Sequence, residues 1–179
     1  MPDGFFTELE GMEESERALA ILLAGITDLR PFWPLVVPVF IRWMAEQFDT
    51  EGEWGGHRWA PLSPAYLAWK MQRYPGKPIL QATGDLRDAA SRPHRRPFPE
   101  LLELIIDDSG YKHGGKDPRS VAPFHQFGGG SGEIGGTEGR PPRREIVPDV
   151  LPVEAQADLR RLADEYVTDL ARRVGLTAT

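Results

Sequence analysis

The chain has 179 residues, a formal net charge of −6 and no cysteine. That length suits one ordinary domain, the charge opposes a general polyanion binder, and the missing thiols exclude disulfide frameworks, zinc-thiolate sites and cysteine nucleophiles. No apolar run approaches the roughly 18 residues that a membrane span needs. The strongest, Phe32 to Ile41, is broken by Pro34 and Pro38 and followed by Arg42. The first ten residues carry Asp3, Glu8 and Glu10 without Lys or Arg, the wrong charge for a secretory signal, so a soluble protein made in the cytoplasm and not exported is expected.

In chain order, residues 1–14 read as an acidic extension, with Glu8, Glu10, Glu13 and Glu14 continuing to Glu16. From Ser15 to Leu29, Leu19, Leu22, Leu23, Ile26 and Leu29 recur at helical spacing, which predicts a helix with one buried stripe. Trp33, Val36, Val37, Phe40, Ile41, Met44 and Phe48 predict a second helix from Pro34 to Phe48. Its interior Pro38 calls for a kink or a later start. Residues 49–60 read as a loop rich in Gly and Trp.

Ser63-Pro64 is a start signal, a side-chain oxygen capping free N–H groups and a ring preset for the first helical position. The helix it opens should run to Tyr74, where Pro75-Gly76 stops it. On it Trp69 lies off the main apolar side and needs a second partner, either the Gly-Trp loop of the same chain or a neighbouring subunit. Ile79 to Ser91 predicts a short extended piece, a turn at Thr83-Gly84 and a brief helix carrying Leu86. Leu101 to Ile106 is a strand candidate, paired with a segment near Tyr111. Residues 128–139 (GGGSGEIGGTEG) read as a flexible tether, and Ile146-Val147 as a last short strand. Residues 152–175 give the cleanest amphipathic helix, with Leu159, Leu162, Tyr166 and Leu170 on one arc and Gly175 ending it. The fold class expected is α+β: N-terminal helices, a central loop-helix block with a small antiparallel sheet, and a C-terminal amphipathic helix in a single domain of residues 1–179.

The chemistry-bearing residues form no familiar catalytic spacing. His57, His94, His113 and His125 include no pair at helical i, i+4 spacing and no H-E-x-x-H arrangement, so neither a metal nor another cofactor is expected. There is no G-x-S-x-G elbow, and the Gly-rich run lacks the Lys-Ser/Thr of a phosphate loop. Asp107-Asp108 reads as a turn after a strand. His125-Gln126-Phe127-Gly128-Gly129 permits a compact turn in which the His and Gln side chains bond backbone groups. Arg87, Arg92, Arg95 and Arg96 form a short basic segment, which with the acidic N-terminus reads either as solvated surface or as two complementary docking faces.

Three blocks together carry a resemblance. They are Thr50-Glu51-Gly52 with Gly55-Gly56 and Trp59-Ala60-Pro61-Leu62-Ser63-Pro64-Ala65-Tyr66 to Lys70; Ile79-Leu80-Gln81-Ala82-Thr83-Gly84-Asp85-Leu86; and His125-Gln126-Phe127-Gly128-Gly129. In order and spacing this block, residues 50–130, resembles the phage virion morphogenesis family, which includes the tail-completion proteins of Mu-like phages. It departs from that family in having Val121-Ala122-Pro123-Phe124 where Tyr-Ala usually precedes the His-Gln. The later Arg140-Pro141-Pro142-Arg143-Arg144 also lacks the usual aromatic.

The resemblance implies a non-enzymatic virion protein at the tail or neck, assembled from host cytoplasm into a sixfold ring. The implied partners are further copies, the tail tube or tail terminator and the head-tail connector. DNA would pass through the lumen, and no membrane is involved. Contact residues expected on this reading are Trp54, Trp59, Trp69, Arg87, Arg92, Arg95, Arg96, His125, Gln126 and Phe127. Structural roles fall to Ser63, Pro64, Tyr66, Lys70, Gly84, Gly128 and Gly129. Trp59, Leu62 and Tyr66 are expected to pack the loop onto the helix, and Lys70 to lie along Tyr66 or meet a carboxylate. Two rivals stay open: a particle-associated hydrolase using His125, and a clamp that holds DNA through Arg87, Arg92, Arg95 and Arg96.

Overall fold

A computed structural model describes residues 12–106, 125–126 and 142–176. Among them are five α-helices and one two-stranded antiparallel sheet. The order is α1 (Met12–Thr27), α2 (Trp33–Asp49), a 3-10 turn (Glu53–Gly55), α3 (Pro64–Arg73), α4 (Asp85–Ser91), β1 (His94–Pro97), β2 (Leu102–Ile105) and α5 (Val153–Arg173). No helix among the described residues is long and apolar enough to cross a membrane. The expected acidic extension up to residue 11, the segment near Tyr111, Phe127, and the glycine run with Gly128 and Gly129 lie outside the described residues.

α2 is the central element, in contact with α4, α5 and the 3-10 turn. Its burial is wider than the stripe read from periodicity. Val39, Trp43 and Gln47 are enclosed along with Val36, Val37, Met44 and Phe48. Two neighbours on different sides bury two faces, which a single-stripe reading cannot anticipate. The helix starts at Trp33 and continues through Pro38, so no later start occurs. Pro38 lies a turn and a half into the helix, past the four N–H groups that have no intrahelical partner, so it removes one bond, that to the Pro34 carbonyl, without ending the helix.

The core gathers Trp43, Met44, Phe48, Trp59, Leu86, Ala90, Ile146 and Ala155 around α2. Aromatic pairs organise it: Phe48 meets Trp59 edge-on at 5.2 Å, and Trp43 stacks on Trp54 at 6.1 Å. α5 crosses α2 with the Arg42–Asp158 ion pair at the rim. α1 approaches α5 closely at Gly25, where a Cβ would sit 2.8 Å from Leu170 and where the Tyr166 hydroxyl donates to the Gly25 carbonyl at 3.2 Å.

α1 departs from its expected burial. Ala18 is enclosed and Leu22 and Leu29 half-buried, but Leu19, Leu23 and Ile26 are exposed. At 100° per residue these three lie about a quarter turn from the side that meets α5, so the apolar stripe is broader than its intramolecular partner.

The sheet also differs from expectation. β2 pairs with the Arg-rich segment just before it, Arg95 opposite Leu104 and Arg96 opposite Glu103. Among the described residues Ile146-Val147 is a bend and not a strand, and Ile79-Leu80 is a turn and not an extended piece. Polar side chains explain both: Glu51 takes the Ile79 N–H, and Gln126 takes the N–H groups of Ile146 and Val147.

Candidate functional site

Several described residues of the three blocks, Gly52, Trp59, Lys70, Gln81, Leu86 and Gln126, gather in one interior knot near the C-terminal end of α2. The 50–60 loop forms its first part. The Thr50 hydroxyl donates to Glu46 O at 2.7 Å and accepts from Trp54 N–H at 2.9 Å, while the buried Gln47 accepts the Gly55 N–H at 2.9 Å. Gly52 has φ 92°, and a Cβ there would stand 2.5 Å from both the Trp59 ring and the His57 carbonyl. Only glycine fits that corner.

Trp59 then enters the core, 4% exposed, its indole N–H donating to Glu145 O at 2.8 Å. The same carbonyl accepts from Gln47 Nε2 at 2.7 Å.

The second block closes the knot from the other side. Ser63 caps α3, accepting from Tyr66 N–H at 3.4 Å, with Pro64 in the first helical position as expected. Lys70 is the buried residue of α3; its ammonium donates to Pro78 O. Burial pushes its pKa below the usual lysine range, the nearby Glu51 carboxylate opposes that fall, and Arg144 adds to it. The Lys70 ammonium thus meets a backbone carbonyl, with the Glu51 carboxylate as the neighbouring charge.

Gln81 donates to Phe48 O at 2.9 Å and accepts from Arg87 at 3.1 Å, which also pairs with Asp49 at 2.8 Å. Gly84, at φ 92°, turns the chain into α4 and so delivers Leu86 to the core at 1% exposure.

The third block supplies a clamp. The Gln126 side-chain oxygen accepts from Ile146 N–H at 2.8 Å and Val147 N–H at 2.9 Å, and its amide donates to Val147 O at 2.6 Å. One side chain therefore does for this segment what a neighbouring strand would do. The Arg144 N–H donates to His125 O at 2.7 Å, and the enclosed Arg144 guanidinium reaches Ala60 O and Pro61 O at 2.9 and 3.1 Å. Burial lowers the pKa of Arg144 as well. Of the two side chains expected to bond backbone here, Gln126 does so, while the bond at His125 is to its own backbone carbonyl, and both residues are helical.

These placements sort the expected contact residues. Trp59 is spent inside the core, Trp54 is half-buried on Trp43, and Arg87 is half-buried between Asp49 and Gln81. A side chain enclosed like that of Trp59 has no face left for a neighbouring molecule; its role is packing. Trp69 remains 42% exposed, and its ring partners are Tyr66, stacked at 5.3 Å, and Tyr74, edge-on at 6.0 Å. Both rings stand on α3 or at its C-cap, and the rest of Trp69 faces solvent in the single chain. Arg92, Arg95 and Arg96 are exposed on and beside β1, Arg92 beside Asp88 and Arg96 3.8 Å from Glu103.

The sequence assigned no role to Gln47, Glu51 or Arg144, although Glu51 stands in the first block of the resemblance and Gln47 on the apolar arc of α2 between Met44 and Phe48. Among the described residues no group of three or more His, Asp or Glu side chains is arranged to hold a metal ion. Comparison with protein-family models, with curated proteins and with solved structures finds no match to this chain.

Proposed function

We propose that this chain is a structural virion protein that completes or joins a phage tail at its neck, closing with further copies into a ring of sixfold symmetry. It works by shape and surface, with no bond made or broken. Its neighbours on this reading are the tail tube or tail terminator and the head-tail connector. The support is the three-block motif, together with the use this chain makes of it. Trp59, Lys70, Gln81, Leu86 and Gln126 all point inward and hold one knot together. A motif whose distinctive side chains are consumed by packing and backbone clamping specifies a shape, and a shaped subunit acts through its surface.

Imaging of particles from a strain lacking the gene tests the reading. Tails without heads, or heads that shed their tails, are expected, and restoring the chain should restore whole particles with a ring density at the junction. Normal particles from the deletion would end it. Purified chain that binds duplex DNA with a steep loss of affinity in salt would instead favour the DNA clamp.

A further inference from the structure

The chain on either side of residues 127–141 is tied to itself. The Arg144 N–H donates to His125 O at 2.7 Å, and Arg143 Nε donates to Gln126 O at 3.0 Å. The Gln126 side chain adds three more bonds, accepting from the N–H groups of Ile146 and Val147 and donating to Val147 O. Each of these bonds has both partners outside the bracketed stretch, so the ends of a fifteen-residue excursion are joined by residues that do not belong to it.

The segment that returns is fastened to the rest of the chain independently. Glu145 O accepts from Gln47 Nε2 at 2.7 Å and from the Trp59 indole at 2.8 Å, and the Arg144 guanidinium donates to Ala60 O and Pro61 O. Ile146 and, on α5, Ala155 are each 1% exposed in the core around α2. Further along α5, Arg42 pairs with Asp158 and the Tyr166 hydroxyl donates to Gly25 O. Tolerance of a chain to change is decided by the burial and hydrogen bonding of the backbone affected. Residues from Pro142 onward are seated by both, on partners that precede residue 127. The inner part of the excursion, residues 130–139 (GSGEIGGTEG), has little to offer either, since half of it is glycine and Ile134 is its one large apolar side chain.

We infer that the tie at His125 and Gln126 releases residues 130–139 from any duty in folding: the chain can be shortened or cut there, and the piece from Pro142 onward, α5 included, stays seated on α2. Loop-closure cost changes slowly with length, so the tie holds over a wide range of excursion. A stretch relieved of folding is free to carry a contact with another molecule, since its sequence can change without disturbing the subunit. The inference goes beyond the assembly reading and does not rest on it.

Two variants of the full chain test it. In the first, Gly-Ser-Gly replaces residues 130–139, leaving Gly128 and Gly129 in place; its urea midpoint should equal or exceed that of wild type. In the second, a recognition sequence for a specific protease replaces the same residues and is cut after folding. The two pieces should elute together, with the helical signal of the uncut chain in circular dichroism. Diluting the cut complex then gives the concentration at which half has dissociated. Gln126→Ala should raise that concentration about tenfold, because the side-chain bonds of Gln126 cross from one piece to the other. A shortened chain with a lowered midpoint or no cooperative transition overturns the inference, as does separation of the pieces or loss of helical signal on cutting. A cut complex indifferent to Gln126→Ala overturns it as well, since the pieces would then be joined elsewhere.

Discussion

Trp59 shows how one residue sets the conformation of a loop. Its ring fills the space under α2 against Phe48, and its N–H reaches Glu145 across the chain. Removing it leaves a cavity and takes one of two donors from the Glu145 carbonyl, so Trp59→Ala should cost about 3 to 5 kcal/mol in urea unfolding. Gln126 acts by hydrogen bonding alone. Gln126→Ala frees the Ile146 and Val147 N–H groups, Ile146 being 1% exposed, and should cost about 2 kcal/mol. A Gln126→Glu variant offers the same acceptor but not the donor to Val147 O, and should fall between. The cap at Ser63, the turn at Gly84 and the packing of Trp59 were legible from residue types, because each depends on local geometry. Gln47 and Arg144 were not, because their partners lie 98 and 84 residues away in the chain.

At the scale of elements, the helices were readable and the first strand was not. Periodicity marks an amphipathic helix, and α2, α3 and α5 start and end within a residue or so of where caps, prolines and glycines place them. β1 reads His-Arg-Arg-Pro and is exposed throughout, so it carries none of the alternation that betrays a strand. α3 is fastened in an unusual way, by the buried Lys70 ammonium. Since folding lowers the pKa of Lys70 from its ordinary 10.5, the unfolded chain binds more protons between the lowered value and 10.5. Stability should therefore rise with pH through that window. The difference in urea midpoint between wild type and Lys70→Met, followed from about pH 8 to about pH 10.5, should move in favour of wild type. A difference independent of pH would show that Lys70 is not held as described.

For the whole molecule, burial is concentrated around α2 and thins outward. Met44, Gln47 and Phe48 are fully enclosed, while α1 keeps an apolar row in solvent and β1 contributes nothing to the core. Native-state hydrogen exchange should follow that gradient, slowest at the amides of Met44 to Phe48 and fastest in β1 and the first turns of α1. Uniform protection across these elements would contradict it. The α+β class and the C-terminal helix were legible at this scale. Which part of each apolar stripe is buried was not, because hydrophobic period reports a face and not its partner.

The position of Lys70 gives this protein a built-in reporter. The residue is 3% exposed, so an acylating reagent that readily labels surface amines such as Lys77 must wait for α3 to lift. The rate at which Lys70 acquires label therefore counts how often the knot comes undone, and comparing that rate for free subunits and assembled particles would tell whether assembly tightens it.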